Sequence, residues 1–167
     1  MIKELILKFI NKKNCNYKKL KNVELYNEIQ KDVWDHHLFK GLEEKEIEKI
    51  NNTIPIPNIY SDFLKEINGC NLLEEEILFY GMEKFEKGLS QMEKSYQPKD
   101  IVWENRQSDY NFDIEKYFII GEIYEEIIFV IDKQSNAVLS INVDTGKTIK
   151  TYNDLYALIK HQLSKYF

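Results

Sequence analysis

This chain of 167 residues has little of what marks a chemical site. Its two cysteines, Cys15 and Cys70, lie far apart and match no metal-ligand spacing. Two free thiols are therefore expected over one disulfide. Cys70 follows a glycine at a helix end, where nothing lowers a thiol pKa. Histidine occurs three times. His36 and His37 are adjacent, and on a helix their rings point roughly 100° apart, so one metal cannot easily take both. His161 has no cysteine or carboxylate cluster nearby in sequence. The G-x-S-x-G elbow, the P-loop and the G-x-G-x-x-G fingerprint are all missing. Apolar runs stop well short of the ~18 residues of a membrane span. The N-terminal run MIKELILKFI is broken by Glu4 and Lys8, with no small-residue cleavage site after it, so a cytoplasmic protein without a membrane span is expected.

Some features imitate chemistry. Asp144-Thr145-Gly146 is the aspartic-protease tripeptide, but between two alternating strands a hairpin turn explains all three residues. Glu125 and Glu126, read as strand residues, point to opposite faces, which is poor geometry for glycoside hydrolysis. Glu74-Glu75-Glu76 reads as a solvated face or as a contact for a cation or a basic partner. No cofactor, no metal and no catalytic set is expected. An enzyme of another class, a hydrolase or metal enzyme built on His36 or His161, is the competing reading.

What is present is enough for one core. Apolar residues make up 43% of the chain and aromatics 13%, with 11 Tyr and 9 Phe, so some rings are available for a recognition surface. Charge is unevenly placed: residues 1–21 hold seven lysines against one glutamate, and the rest holds 16 basic and 27 acidic residues. An acidic body disfavours direct nucleic-acid binding and suits a basic protein partner. Arg106 is the only arginine against 22 lysines, a usage typical of an AT-rich bacterial genome.

Periodicity predicts an α+β domain. Helices are expected over 2–12, with Ile2, Leu5, Ile6, Phe9 and Ile10 on one face, and over 23–39, with Tyr26, Ile29, Val33 and Trp34 inward. The lysine-rich stretch 13–21 reads as a solvated connection. A third helix covers 43–52. Pro55 and Pro57 then lead into a helix N-capped by Asn58, striped by Ile59, Phe63, Leu64 and Ile67, and ended by Gly69. Strands are expected over 77–81, 117–120, 127–131, 137–143 and 148–151, with a helical turn near 83–94, irregular chain over 98–112, and a closing helix over 153–166. The resulting fold is a mostly antiparallel sheet of four to six strands, flanked by N-terminal and C-terminal helices. Residues 1–40 are read as a helical extension packed on a domain of residues 41–167.

Ile47 and Ile50, Ile56-Pro57, Tyr60, Phe63-Leu64 and Asn68-Gly69 form an ordered set. With the strand ending in Gly81, the 117–121 and 127–132 strands and the terminal Leu155–Leu163 helix, this set resembles the SUKH superfamily of cell-wall assembly regulators and bacterial immunity proteins. The resemblance covers residue 40 to the end. It implies a non-catalytic role, either tight binding of a cognate protein toxin, commonly a nuclease, or a regulatory scaffold for a signalling or cell-wall assembly protein. An acidic face with aromatic anchors is the expected interface, and Trp103, Glu104, Tyr110, Asp113, Glu122, Tyr124 and Glu125 are its candidate residues. The protein is expected to be a monomer or weak homodimer.

Overall fold

A computed structural model describes residues 1–107 and 109–166. Among the described residues, nine strands form one antiparallel sheet in which every strand pairs with its sequence neighbour: β1 (Cys15–Lys19), β2 (Val23–Glu28), β3 (His36–Lys40), β4 (Ile67–Leu72), β5 (Ile77–Phe79), β6 (Tyr117–Ile123), β7 (Ile127–Asp132), β8 (Val138–Asn142) and β9 (Thr148–Tyr152). The α+β class is as expected, and the sheet is larger than the four to six strands anticipated.

Four strands were not anticipated: three lie in the first 40 residues, which hold one helix and three strands, and the fourth is β4. The helix expected over 23–39 is absent. Val23, Leu25 and Phe39 instead form a small buried cluster with Trp34, Met92 and Tyr96 at its margin, while Ile29 and Val33, expected inside, are about half exposed. The stretch 13–21 is not a connection but includes edge strand β1, whose Lys18 and Lys19 face solvent. Lysines on an edge discourage pairing with a foreign strand. Because β3 pairs with β4, this N-terminal hairpin array continues the main sheet.

Four helices cover one face. α1 (Ile2–Lys12) buries Ile6, Phe9 and Ile10, and it packs on α3 (Asn58–Glu66) and α6 (Leu155–Leu163). The Glu66 carboxylate accepts the Ile2 and Lys3 amides at 3.2 and 2.9 Å and pairs with the Met1 amino group, which caps the otherwise unsatisfied start of α1. α2 (Glu44–Asn51) leans on α3 and closes its own start with a reciprocal Glu43–Glu46 capping box. α6 is capped by Asp154, which accepts the Ala157 amide at 2.7 Å. It ends in a 3-10 turn, Ser164–Tyr166.

The proline-led helix is present with shifted ends. Its N-cap is Pro57 rather than Asn58, Ile59 is exposed rather than part of the stripe, and Ile67 already belongs to β4. Gly69 does adopt positive φ (+80°), but inside β4 and not as a helix cap. Tyr60, Phe63 and Leu64 are buried as expected. The Tyr60 hydroxyl lies 2.6 Å from the Tyr80 carbonyl and 2.9 Å from that of Ile120, so one phenol ties the helix layer to both β5–β6 strands. Between β5 and β6, the helical content is α4 (Gln91–Ser95) and α5 (Ile101–Glu104) rather than a turn over 83–94.

Candidate functional site

Lys99, just after buried Pro98, gathers carboxylates from two elements. Its ammonium lies 2.7 Å from Glu122 on β6 and 3.6 Å from Glu104 on α5. Tyr80 donates to the other Glu122 oxygen at 2.7 Å, and Tyr110 donates to Glu104 at 3.2 Å. The Lys99 ammonium also sits 5.4 Å from the Tyr80 ring centroid, within cation–π range.

Burial sets the charge states. Glu104 and Glu122 are 7% and 4% exposed. Desolvation pushes the Glu104 carboxyl up, against the pull of Lys99 and Tyr110. Desolvation also works against the Lys99 ammonium, but the Glu122 hydrogen bond and the surrounding carboxylates outweigh it and hold its pKa above 10.5. Burial and the Glu122 charge push the Tyr80 phenol well up, so it is a fixed donor.

The structure thus brings Glu104, Tyr110 and Glu122 into one network, and the Glu125 charge acts on Lys99 and Tyr110. Trp103, beside Glu104 on α5, is 66% exposed, so its ring is free for contact. Tyr124 is 60% exposed at the β6–β7 tip, where its amide donates to the Glu76 carbonyl at 3.2 Å. Glu125 and Glu126 lie on this turn and not on a strand, and Tyr124 and Glu125 both take left-handed φ, 49° and 59°. Asp113 stands outside the network; its carboxylate accepts the Glu115 amide at 2.9 Å. Sequence reasoning missed Lys99 and Tyr80. A tyrosine ending an apolar strand and a lysine after a proline gave no signal until β5 and β6 came together.

A second polar cluster tests the metal reading. His36 and His37 lie on a strand, not a helix, so they face opposite sides: His36 meets Phe9 of α1, and His37 meets Tyr96. Glu28, Asp35 and His36 offer ligand atoms within 4.8 Å of one another. However, His36 Nδ1 accepts the Leu73 amide at 3.2 Å, so the neutral ring carries its proton on Nε2, which faces Asp35 at 3.7 Å. That nitrogen has no lone pair to give a metal. Lys31 already pairs with the same Asp35 oxygen at 3.4 Å. The trio is a partly buried polar chain already engaged by Lys31, poorly suited to a cation. Desolvation lowers both His36 and His37, against the pull of Asp35 on the first and of the Trp34 carbonyl on the second.

Cys15 and Cys70 are unbridged, and burial raises both thiols, Cys15 to about 11, so neither is a ready nucleophile at neutral pH. Among the described residues, no helix is long and apolar enough to cross a membrane. No protein-family model and no curated protein matches the chain.

Proposed function

We propose that the chain is a non-catalytic immunity protein that binds a cognate toxin, a nuclease or another toxic enzyme, and neutralises it by covering a basic surface. One observation carries this reading. Trp103 and Tyr124, both large and mostly exposed, lie one and two residues from Glu104 and Glu122, the carboxylates that Lys99 and Tyr80 engage by ion pair and hydrogen bond. Exposed aromatics around fixed charge are the material of interface hot spots. The acidic charge steers a basic partner and fixes its register. The protein acts in the cytoplasm as a monomer or weak homodimer, with no direct contact to nucleic acid.

The test is calorimetric titration of the chain against the toxin encoded beside it. A stoichiometric, sub-micromolar complex that weakens as salt rises supports the reading. A neighbouring toxin that neither binds nor is inhibited overturns it. Stoichiometric binding instead to a cell-wall assembly or signalling protein replaces it with the scaffold reading.

A further inference from the structure

Next to the Lys99 network, a cleft of about 370 Å³ opens between the β4–β5 hairpin and the 83–99 segment. Asn71 lines it and is 6% exposed. The Asn71 amide nitrogen points to the Glu75 carboxylate at 3.5 Å, and its Oδ1 has no hydrogen-bond partner within the protein. Directly across the β3–β4 pair stands His37, whose Nε2 lies 2.7 Å from the Trp34 carbonyl. Its Nδ1 is then an acceptor, and it too is unpartnered. A buried acceptor left unpaired costs about 1–3 kcal/mol. The strand pairing is satisfied here, so the cost marks a place for a donor from outside.

The surroundings specify that donor. Glu75, Glu83 and the exposed Phe85 ring line the cleft with Lys94 and Lys99. Lys99 is spent on Glu104 and Glu122, which leaves the Glu75 and Glu83 carboxylates against the single Lys94 ammonium in the lining. An incoming group must therefore be cationic, rich in N–H donors and flat enough to lie on Phe85. A guanidinium meets all three demands; an ammonium meets only the first two.

We infer that this cleft receives an arginine side chain of the partner protein, with Asn71 Oδ1 and the Glu75 and Glu83 carboxylates accepting its N–H groups and Phe85 stacking on its plane. This rests on the reading of the acidic face as a docking surface, and it names the residue type that anchors there.

The experiment is an NMR titration of the full chain with N-acetyl-arginine amide, and with the norleucine analogue as the uncharged control. Saturable shifts are expected at the Asn71 side-chain amide and at the Glu75 and Lys99 backbone amides, with roughly millimolar half-saturation and about tenfold weaker response to the control. Asn71→Leu should abolish the shifts. Because that buried change can disturb folding, the exposed pair Glu75→Gln/Glu83→Gln is measured too, and should weaken the response about tenfold with the rest of the spectrum unchanged. No saturable shift at these residues, or equal shifts with norleucine amide, overturns the inference. If that happens while the toxin still binds, this anchor falls and the immunity reading stands. If the arginine probe binds and the toxin does not, the cleft stands and the immunity reading falls.

Discussion

The side chain of Asn68 is bonded twice to the backbone of Met82: its amide donates to the Met82 carbonyl at 2.7 Å, and its carbonyl accepts the Met82 amide at 2.7 Å. The carboxamide thus takes the place of one strand residue where β4 has run out of partner. It works only because Gly81 lets the chains close up. A Cβ at Gly81 would lie 2.2 Å from the Asn68 backbone carbonyl oxygen, nearer than any real contact. Asn105 repeats the device on Ile119, with bonds of 2.7 and 2.8 Å.

Asn68→Leu should therefore cost about 2–4 kcal/mol, since it strands a donor and an acceptor at a site where Asn68 is 2% exposed. Gly81→Ala should cost at least ~2 kcal/mol, because the backbone and not a movable side chain blocks the methyl. Urea unfolding followed by far-UV circular dichroism measures both. A loss under ~0.5 kcal/mol in either variant would show that the junction is not tied this way.

Much of this core was legible from sequence because its signals are local. The β-branched run at 127–131, the turn chemistry at 144–146 and the α6 stripe each report on their own segment, and each is found where expected. The N-terminal strands were not legible because two periods compete there. Tyr26, Ile29 and Val33 fit a helical stripe, while Val23 and Leu25 fit a strand, and pairing of Tyr17 against Tyr26 decides for the strand. The Lys99 network was hidden for another reason: Tyr80, Lys99, Glu104 and Glu122 are spread over more than 40 residues and meet only through tertiary structure.

Lys99 should be worth most to the residue it neutralises. Lys99→Met leaves the Glu122 carboxylate buried with only Tyr80 to serve it, and the side chain of Lys99 is itself mostly covered. A loss of about 2 kcal/mol is expected. Glu122→Gln in the same chain should recover part of that loss, because an amide does not need the cation. A double-mutant cycle in urea reads this coupling, and strict additivity of the two changes would exclude it.

Acid should loosen the fold through β3. Burial holds the folded-state pKa of His36 and of His37 below the ordinary 6.5. The unfolded chain then binds more protons below that pH, so stability falls as pH drops through 6.5 toward the folded values. The groups facing His36 are Asp35, Glu28, Lys31 and His37, and only the two carboxylates oppose the trend. Glu104 acts in the other direction. Its raised pKa adds stability at low pH, which is lost as pH rises from 4.5 through the folded value. His161 is lowered as well and Glu83 raised as well, so three histidines against two carboxyls should give a lower urea midpoint at pH 5.5 than at pH 7.5. Replacing His36 and His37 by glutamine should flatten that dependence, and an unchanged slope in the double variant would assign it to other groups.

Tyr124 offers the sharpest separation of fold from function. Its left-handed φ of 49° costs a residue with a Cβ about 1–2 kcal/mol, and glycine nothing. The ring is 60% exposed, so it returns little of that in packing. Tyr124→Gly should therefore raise the stability of the isolated chain, by up to ~1 kcal/mol after the added freedom of the unfolded state is counted. If the tyrosine is an interface anchor, the same change should weaken the toxin complex by about 2 kcal/mol, a roughly thirtyfold rise in Kd. Thermal unfolding and calorimetric titration of one variant read both numbers. A chain that becomes more stable and binds as tightly as before would remove Tyr124 from the interface.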